Sequence, residues 1–286
     1  MDPTETSAPV CYRHPDRITG LSCSRCGKNI CVECSNDAAV GQLCPECAAS
    51  TDRHQVVRAG NLSGRASFST APVSFSILAV TVAIWVIGVV SPVADRWLFQ
   101  NLAQANFLVS VGEWWRIFTA ALLHAPLRSS FGIFHIGFNM YLLYLLGPRM
   151  EQQVGSPAFG ALYVAAAGTG GFVAYQFGDP FQISIGASGA IFGLVGAWLV
   201  ASWKTRHTPG GRAMFNQLMF FVLLNAVLGF AISNISWRAH LGGLLAGMGI
   251  AYLWSIFAVG KPNAVGIRTA VATAVIALDL AAVLLL

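Results

Sequence analysis

Beyond residue 47 the sequence contains no cysteine, and beyond residue 74 it contains only five acidic residues among ten basic ones. The first absence excludes disulfides and thiol nucleophiles from most of the chain. The second, with charged residues at 10% overall, hydrophobic residues at 55% and a mean hydropathy of +0.62, excludes a soluble globule and implies a multi-span membrane protein. No His-Glu-x2-His run occurs in the apolar part, so a zinc-peptidase helix is excluded there. A pair of intramembrane aspartates is missing too, because Asp179 precedes Pro180 in a loop and leaves Asp279 alone. The start, "MDPTETSAPV", lacks the basic and apolar regions of a secretory signal and is expected not to be one. Residues 1–74 balance seven basic against seven acidic groups, which gives no basic face for nucleic acid. A protein partner is the better expectation for that part.

All seven cysteines lie in this N-terminal part, in paired spacing: Cys11-x2-His14, Cys23-x2-Cys26, Cys31-x2-Cys34 and Cys44-x2-Cys47. Each x2 spacing lets a short turn aim two side chains at one ion, and eight donors close two tetrahedral Zn2+ sites. Disulfides explain the pattern less well, since seven is odd and His14 sits at ligand spacing. With almost no large apolar residues, residues 1–50 are expected to fold as a zinc-binding module only when metal is bound. The ladder resembles a B-box-type zinc finger. That resemblance, if the pairs interleave, implies one site of Cys11, His14, Cys31 and Cys34 and another of Cys23, Cys26, Cys44 and Cys47; spacing alone also allows sequential pairing. Residues 51–74, rich in Ser, Ala, Gly and Arg, read as a flexible linker.

Seven runs are long and apolar enough to cross a bilayer, near 75–91, 131–149, 157–177, 186–203, 214–232, 237–257 and 267–286. The segment 92–130, rich in Trp and Phe but broken by prolines and charges, reads as an interfacial loop. With the N-terminus inside, nine basic residues (Arg53, Arg58, Arg65, Arg149, Lys204, Arg206, Arg212, Lys261, Arg268) lie inside and four (Arg96, Arg116, Arg128, Arg238) outside. This bias predicts a cytoplasmic zinc module on a multi-pass cell-membrane protein.

Spans two, four and six then run inward, and each carries polar groups near its outer end: His135 and Asn139, Ser188, and His240. At 1.5 Å per residue they share a depth of roughly 5 to 10 Å. Polar groups there are costly unless they face a cavity or a protein interior, so one common site is expected. His135 and Asn139, four apart, share a helix face. Ser188 in a first helical turn lies beside free backbone N–H groups, and His240 would supply its base. Gly189 and Gly193 on one span and Gly243 and Gly247 on another allow the two helices to approach closely.

Together, "GEWWR" (112–116), His135-x3-Asn139, Gly186-x-Ser188-Gly189 and "AHLGGLLAG" (239–247) resemble the rhomboid intramembrane serine proteases, in order and on matching spans. The resemblance covers roughly residues 75–257. It implies an all-α polytopic membrane fold, a rhomboid-like six-helix bundle, here with an extra C-terminal span in 258–286. It also implies a Ser188–His240 dyad without an orienting carboxylate, an oxyanion held by the Ser188 N–H, His135 and Asn139, and transmembrane protein substrates drawn from the lipid bilayer. Trp115 and Arg116 match a structural loop motif, and His124 resembles another loop histidine. Phe192 stands one turn after the serine, where some relatives have Tyr. Asp279, near the end of the seventh span, is expected to be an interfacial acid.

Each residue alone has a plainer explanation: a serine among glycines is packing material, and an intramembrane histidine is an interhelical hydrogen bond. A transporter would show broken helices or charges near the midplane, and a non-proteolytic rhomboid-like adaptor or chaperone would lack the dyad. It is the combination that favours the enzyme.

Overall fold

The computed structural model describes residues 9–37, 41–51, 67–231 and 235–285. Residues 1–8 and 38–40, most of the expected linker (52–66, with Arg53, Arg58 and Arg65), residues 232–234 and Leu286 lie outside the described residues. The chain divides into two compact units, Met1–Arg65 and Ala66–Leu286.

The first unit has two small antiparallel hairpins. In one, β1 (Val10–Cys11) pairs with β2 (His14–Ile18), and in the other β3 (Asn36–Asp37) pairs with β4 (Gln42–Leu43); α1 (Pro45–Thr51) follows. Its interior is mostly sulfur. Cys11, Cys23, Cys31, Cys34 and Cys44 are buried, with Ile30 as the one fully buried aliphatic side chain among the described residues of this unit. Thr19 adds a buried hydrogen bond, its hydroxyl donating to the Ile30 carbonyl at 2.6 Å.

The second unit is helical. Its seven long helices are α2 (Pro72–Val90), α6 (Gly132–Val154), α7 (Ser156–Phe177), α8 (Ser188–Lys204), α9 (Pro209–Ala231), α10 (Trp237–Phe257) and α11 (Ala264–Leu285). Five of them are long and apolar enough to cross a membrane by length and composition: α2, α7, α9, α10 and α11. The other two are more polar or shorter. α6 holds His135, Asn139 and Glu151, and α8 has only 17 residues. Six helices form the bundle, and α11 packs on it against α7.

Helix starts account for several boundaries that differ from the sequence reading. α2 begins at Pro72, three residues before the expected span, because Pro fits the first helical turn. Its N-cap, Ala71, has no side chain to cap with. Glu151 of α6 does this instead, accepting from the N–H groups of Val73 (2.9 Å) and Ser74 (2.7 Å) while itself 1% exposed. A carboxylate at a helix N-terminus satisfies orphan donors and meets the positive end of the macrodipole.

The segment 92–130 is more ordered than a loop. It contains α3 (Pro92–Leu102), capped by Ser91 Oγ accepting from the Ala94 N–H, then β5 (Gln104–Ala105), α4 (Asn106–Ser110) and α5 (Arg116–Thr119). β5 pairs antiparallel with β6 (Ile183–Ser184), which ties this segment to the chain just before α8. Two-residue strands carry no readable alternation, so the sequence hides this pairing.

α8 is the centre of the bundle. Twelve of its residues, from Gly189 to Ser202, are buried, and it packs against α10, α7, α9 and α6. Its own Ile191, Leu194 and Val195, and Leu143, Phe159, Leu162 and Ile250 around it, are all at 1% exposure or less. By contrast α9 leaves Phe220, Leu223, Val227 and Phe230 more than half exposed.

Candidate active site and metal centres

Three helix starts meet at one point. Ser188 is the first residue of α8, while His240 and His135 are the fourth residues of α10 and α6. His240 Nε2 lies 2.8 Å from Ser188 Oγ, both groups half-buried. With the hydroxyl donating, Nε2 is the bare nitrogen and the ring proton is assigned to Nδ1. Nδ1 is buried and meets no partner among the described residues. The ring is held by stacking instead, with Phe192 parallel to it at 4.3 Å between centroids and 9° between planes. Phe221 of α9 packs on the far side of Phe192 at 5.4 Å.

Glycine lets the backbones close up. A Cβ on Gly243 would strike the Gly189 carbonyl, and one on Gly247 would strike the Gly193 carbonyl. The stripes on α8 and α10 therefore touch backbone to backbone, which sets the distance between Ser188 and His240. Gly186, at φ +121°, makes the turn into α8 in a region that L side chains avoid. A Cβ there would also lie 2.7 Å from His135 Nε2.

His135 is oriented through a short relay. The Trp85 indole N–H donates to the Ala125 carbonyl at 2.9 Å, and the Ala125 N–H donates to His135 Nδ1 at 3.3 Å. A neutral ring with Nδ1 accepting carries its proton on Nε2, as a donor beside Gly186 and Ser188. Asn139, 5% exposed, differs from the simplest expectation. Its amide nitrogen donates to the His135 carbonyl one turn back, at 2.7 Å, which leaves one of its two N–H groups for other work. First-turn N–H groups of α8 have no partner inside the helix.

His124 belongs to this neighbourhood, with its role unread in the sequence. Its ring lies 5.0 Å from that of His135, and its Nε2 accepts a long hydrogen bond (3.5 Å) from the Ala187 N–H. A histidine in a loop beside Pro126 gave no periodic signal that would have assigned it a place. Arg116 is a brace: 3% exposed, it pairs with Glu113 and donates to the carbonyls of Ala103 (2.7 Å) and Gln100 (2.6 Å). Trp115 donates more weakly to the Asn101 carbonyl, at 3.3 Å.

The family profile of the Rhomboid domain matches residues 111–257, which contain all four polar groups. The chain belongs to the rhomboid family. It is 35% identical over 179 residues to "Rhomboid protease GluP" of Bacillus subtilis (strain 168), covering 63% of this chain and 32% of that one. It is 32% identical over 182 residues to "Putative rhomboid protease YdcA" of the same organism, covering 63% of this chain and 80% of that one. To "RHOMBOID-like protein 1" of Arabidopsis thaliana it is 34% identical over 156 residues, 54% of this chain and 38% of that one. The chain thus spans about a third of the first and third relatives and four fifths of the second.

Asp279, expected near the interface, is 6% exposed, and both its carboxyl oxygens lie 3.0–3.1 Å from Thr169 Oγ1 of α7.

In the N-terminal unit the eight ligand side chains form two clusters, Cys11/His14/Cys31/Cys34 and Cys23/Cys26/Cys44/Cys47, with donor atoms within 4.8 Å of one another in each. The pairs are interleaved rather than sequential. Cys31 and Cys34 Sγ lie 3.4 Å from His14 Nδ1, and Cys11 Sγ lies 3.8 Å from it; in the second cluster Cys26 and Cys44 Sγ are 3.8 Å apart. The edges of a tetrahedron with bonds of 2.0–2.3 Å are about 3.3–3.8 Å, so the donor sets fit a metal ion of that size. The thiols are also primed. Hydrogen bonding from the Cys44 backbone draws Cys23 down to about 6, whereas its neighbour Cys47, beside Cys44, is pushed up to about 12. Four sulfurs so close together share protons until a cation replaces them.

Proposed function

We propose that this chain is an intramembrane serine endopeptidase that cuts transmembrane or membrane-proximal segments of membrane proteins. The single observation that supports it most is the 2.8 Å contact between Ser188 Oγ and His240 Nε2 at the start of a buried helix. Family membership agrees, since the first two relatives are named as proteases, one of them as putative.

Ser188 Oγ attacks the scissile carbonyl carbon while His240 Nε2 takes its proton, and the carbonyl π pair moves onto oxygen. The new oxyanion is received by the Ser188 N–H, His135 Nε2–H and the free N–H of Asn139. Its collapse expels the amine, which takes the proton from His240 and leaves an ester on Ser188. Water, deprotonated by His240, then releases the acid and restores the serine. Phe192 orients the base in place of a carboxylate, and Arg116 braces the loop.

A 17-residue helix is about 25 Å long, shorter than a hydrocarbon core of about 30 Å. Ser188 would therefore begin beneath the outer boundary, reached by water from outside. Substrate would pass between α6 and α9, whose exposed aromatic side chains make the loosest wall of the bundle. The basic-residue bias supports a cytoplasmic N-terminal module, whose two ligand sets would hold two structural Zn2+ ions and whose target would be a protein partner.

Labelling of the full chain by a fluorophosphonate probe tests this reading. Ser188→Ala should abolish labelling, and either Ser188→Ala or His240→Ala should lower cleavage of a transmembrane substrate by at least ~10^3-fold. Normal cleavage by Ser188→Ala would sink the proposal.

A further inference from the structure

Asp279 of α11 has only one hydrogen-bonding neighbour among the described residues, the Thr169 hydroxyl. No ion pair reaches it. Its surroundings are closed: a Cβ on Gly168 would meet both Asp279 Oδ2 (2.9 Å) and the Phe118 ring. Titratable side chains on the helices packed against it are Tyr163 and Tyr175 on α7 and Arg238, His240 and Tyr252 on α10, and none bonds to it. Arg268, on its own helix, donates to the carbonyls of Gln153 and Val154 instead.

Counting protons then decides the state of the acid. Thr169 Oγ1 also lies 3.0 Å from the Ala165 carbonyl, so three oxygens surround a hydroxyl that owns one proton. If Asp279 were a carboxylate, it would be an unpaired charge in an apolar site, sharing that proton with a backbone carbonyl. If it carries a proton, it donates to Thr169, which donates to Ala165, and every contact is a hydrogen bond.

The same residue sits one helix behind the base. On the opposite side of α7, a Cβ on Gly242 would lie 2.8 Å from the Thr169 carbonyl. A Cβ on Gly170 would lie 2.8 Å from the carbonyl of Ala239, and one on Gly189 would lie 3.5 Å from that same carbonyl. Ala239 precedes His240 and Gly189 follows Ser188, so the grip on one carbonyl sets the base against the nucleophile. We infer that Asp279 is a neutral acid that, by tying Thr169 to α11, holds α7 in place beside α10 and so acts as a positioning residue for His240. This rests on the protease reading.

The test uses the full chain in vesicles with a transmembrane peptide substrate, measuring kcat, KM and their pH dependence. Asp279→Asn and Thr169→Ser keep the hydrogen bond and should keep kcat within about two-fold. Asp279→Leu and Thr169→Val should lower kcat on the order of 10- to 100-fold with KM little changed, since small misplacements of a catalytic group cost that much. The double variant should fall no further. Because the acid must be protonated, native kcat should decline where alkali removes that proton, and the decline should vanish in Asp279→Asn; His240 works as a neutral base and cannot cause it. Thermal unfolding shows which variants fold, and if Asp279→Leu does not, the Thr169→Ser and Thr169→Val pair carries the comparison. Equal loss in Asp279→Asn and Asp279→Leu, or native kcat in Thr169→Val, overturns the inference. Cleavage that survives Ser188→Ala overturns the protease reading instead.

Discussion

The two units each gather polar side chains from distant parts of the chain, but by opposite means. In Met1–Arg65 eight donor side chains are themselves the interior, and Ile30 is almost all the aliphatic core there is. In Ala66–Leu286 the polar groups at Ser188, His240, His135 and Asn139 are guests of a large apolar core, and glycine carbonyl contacts between α8 and α10 place two of them. One unit is held by its ligands, and the other holds its site. Removing the functional groups should therefore destroy the first fold and leave the second standing.

Metal removal is the largest expected effect. Apparent binding free energies for structural zinc are on the order of 10 kcal/mol or more, and the module has little else to keep it folded. A strong chelator, or Cys23→Ser, should abolish its protease resistance and its one to two metal equivalents, read by mass spectrometry, while the helical signal of α2 to α11 persists. Acid should act in the same direction. Protons compete with the metal for the thiolates, so the stability that binding supplies should be lost as pH falls. Metal retained at pH 5 would contradict this account.

Glycine is the next place to break the contrast. Gly243→Ala puts a methyl group onto the Gly189 carbonyl, so the helices must separate. Overpacking of that kind costs about 1–3 kcal/mol. Thermal unfolding of the membrane unit should fall accordingly, serine-probe labelling should drop, and metal content should not change. His135→Ala tests the site without disturbing the frame. Loss of one oxyanion donor costs about 10^2- to 10^3-fold in kcat, and the probe-free unfolding midpoint should stay near the native one. Asn139→Ala should cost less activity and more stability, since its amide already serves the His135 carbonyl.

This contrast also explains what could be read from the sequence. Ligand spacing is local, so the x2-spaced pairs announced clusters of metal-ligating side chains, although which pairs join depends on the hairpins that bring Cys11 beside His14 and Cys31 beside both. Seven apolar runs announced seven long helices, and polar residues at matching depth announced a common site. Contacts made by irregular backbone stayed hidden. The pairing of β5 with β6, the Ala125 N–H that orients His135, and Glu151 capping a helix 78 residues away all depend on tertiary placement rather than on periodicity. The partner of Asp279 stayed hidden for the same reason, since Thr169 on α7 lies 110 residues away.

Phe192 offers the smallest effect and the finest test of how the membrane unit holds its base. The ring lies 4.3 Å from His240, and with Nδ1 unpartnered it is the contact that limits rotation of the imidazole. Aromatic stacking is worth roughly 0.5–1.5 kcal/mol beyond area burial, so Phe192→Leu should reduce kcat by about 2- to 10-fold with KM and thermal midpoint nearly unchanged. Phe192→Tyr keeps the ring and should stay within about two-fold. If leucine and tyrosine were equally active, stacking would not orient His240, and the backbone grip on Ala239 would have to do so alone. If leucine fell as far as His240→Ala, the ring would be as necessary as the base it supports, and the site would resemble the metal module more than its own frame, with a single side chain deciding whether it forms.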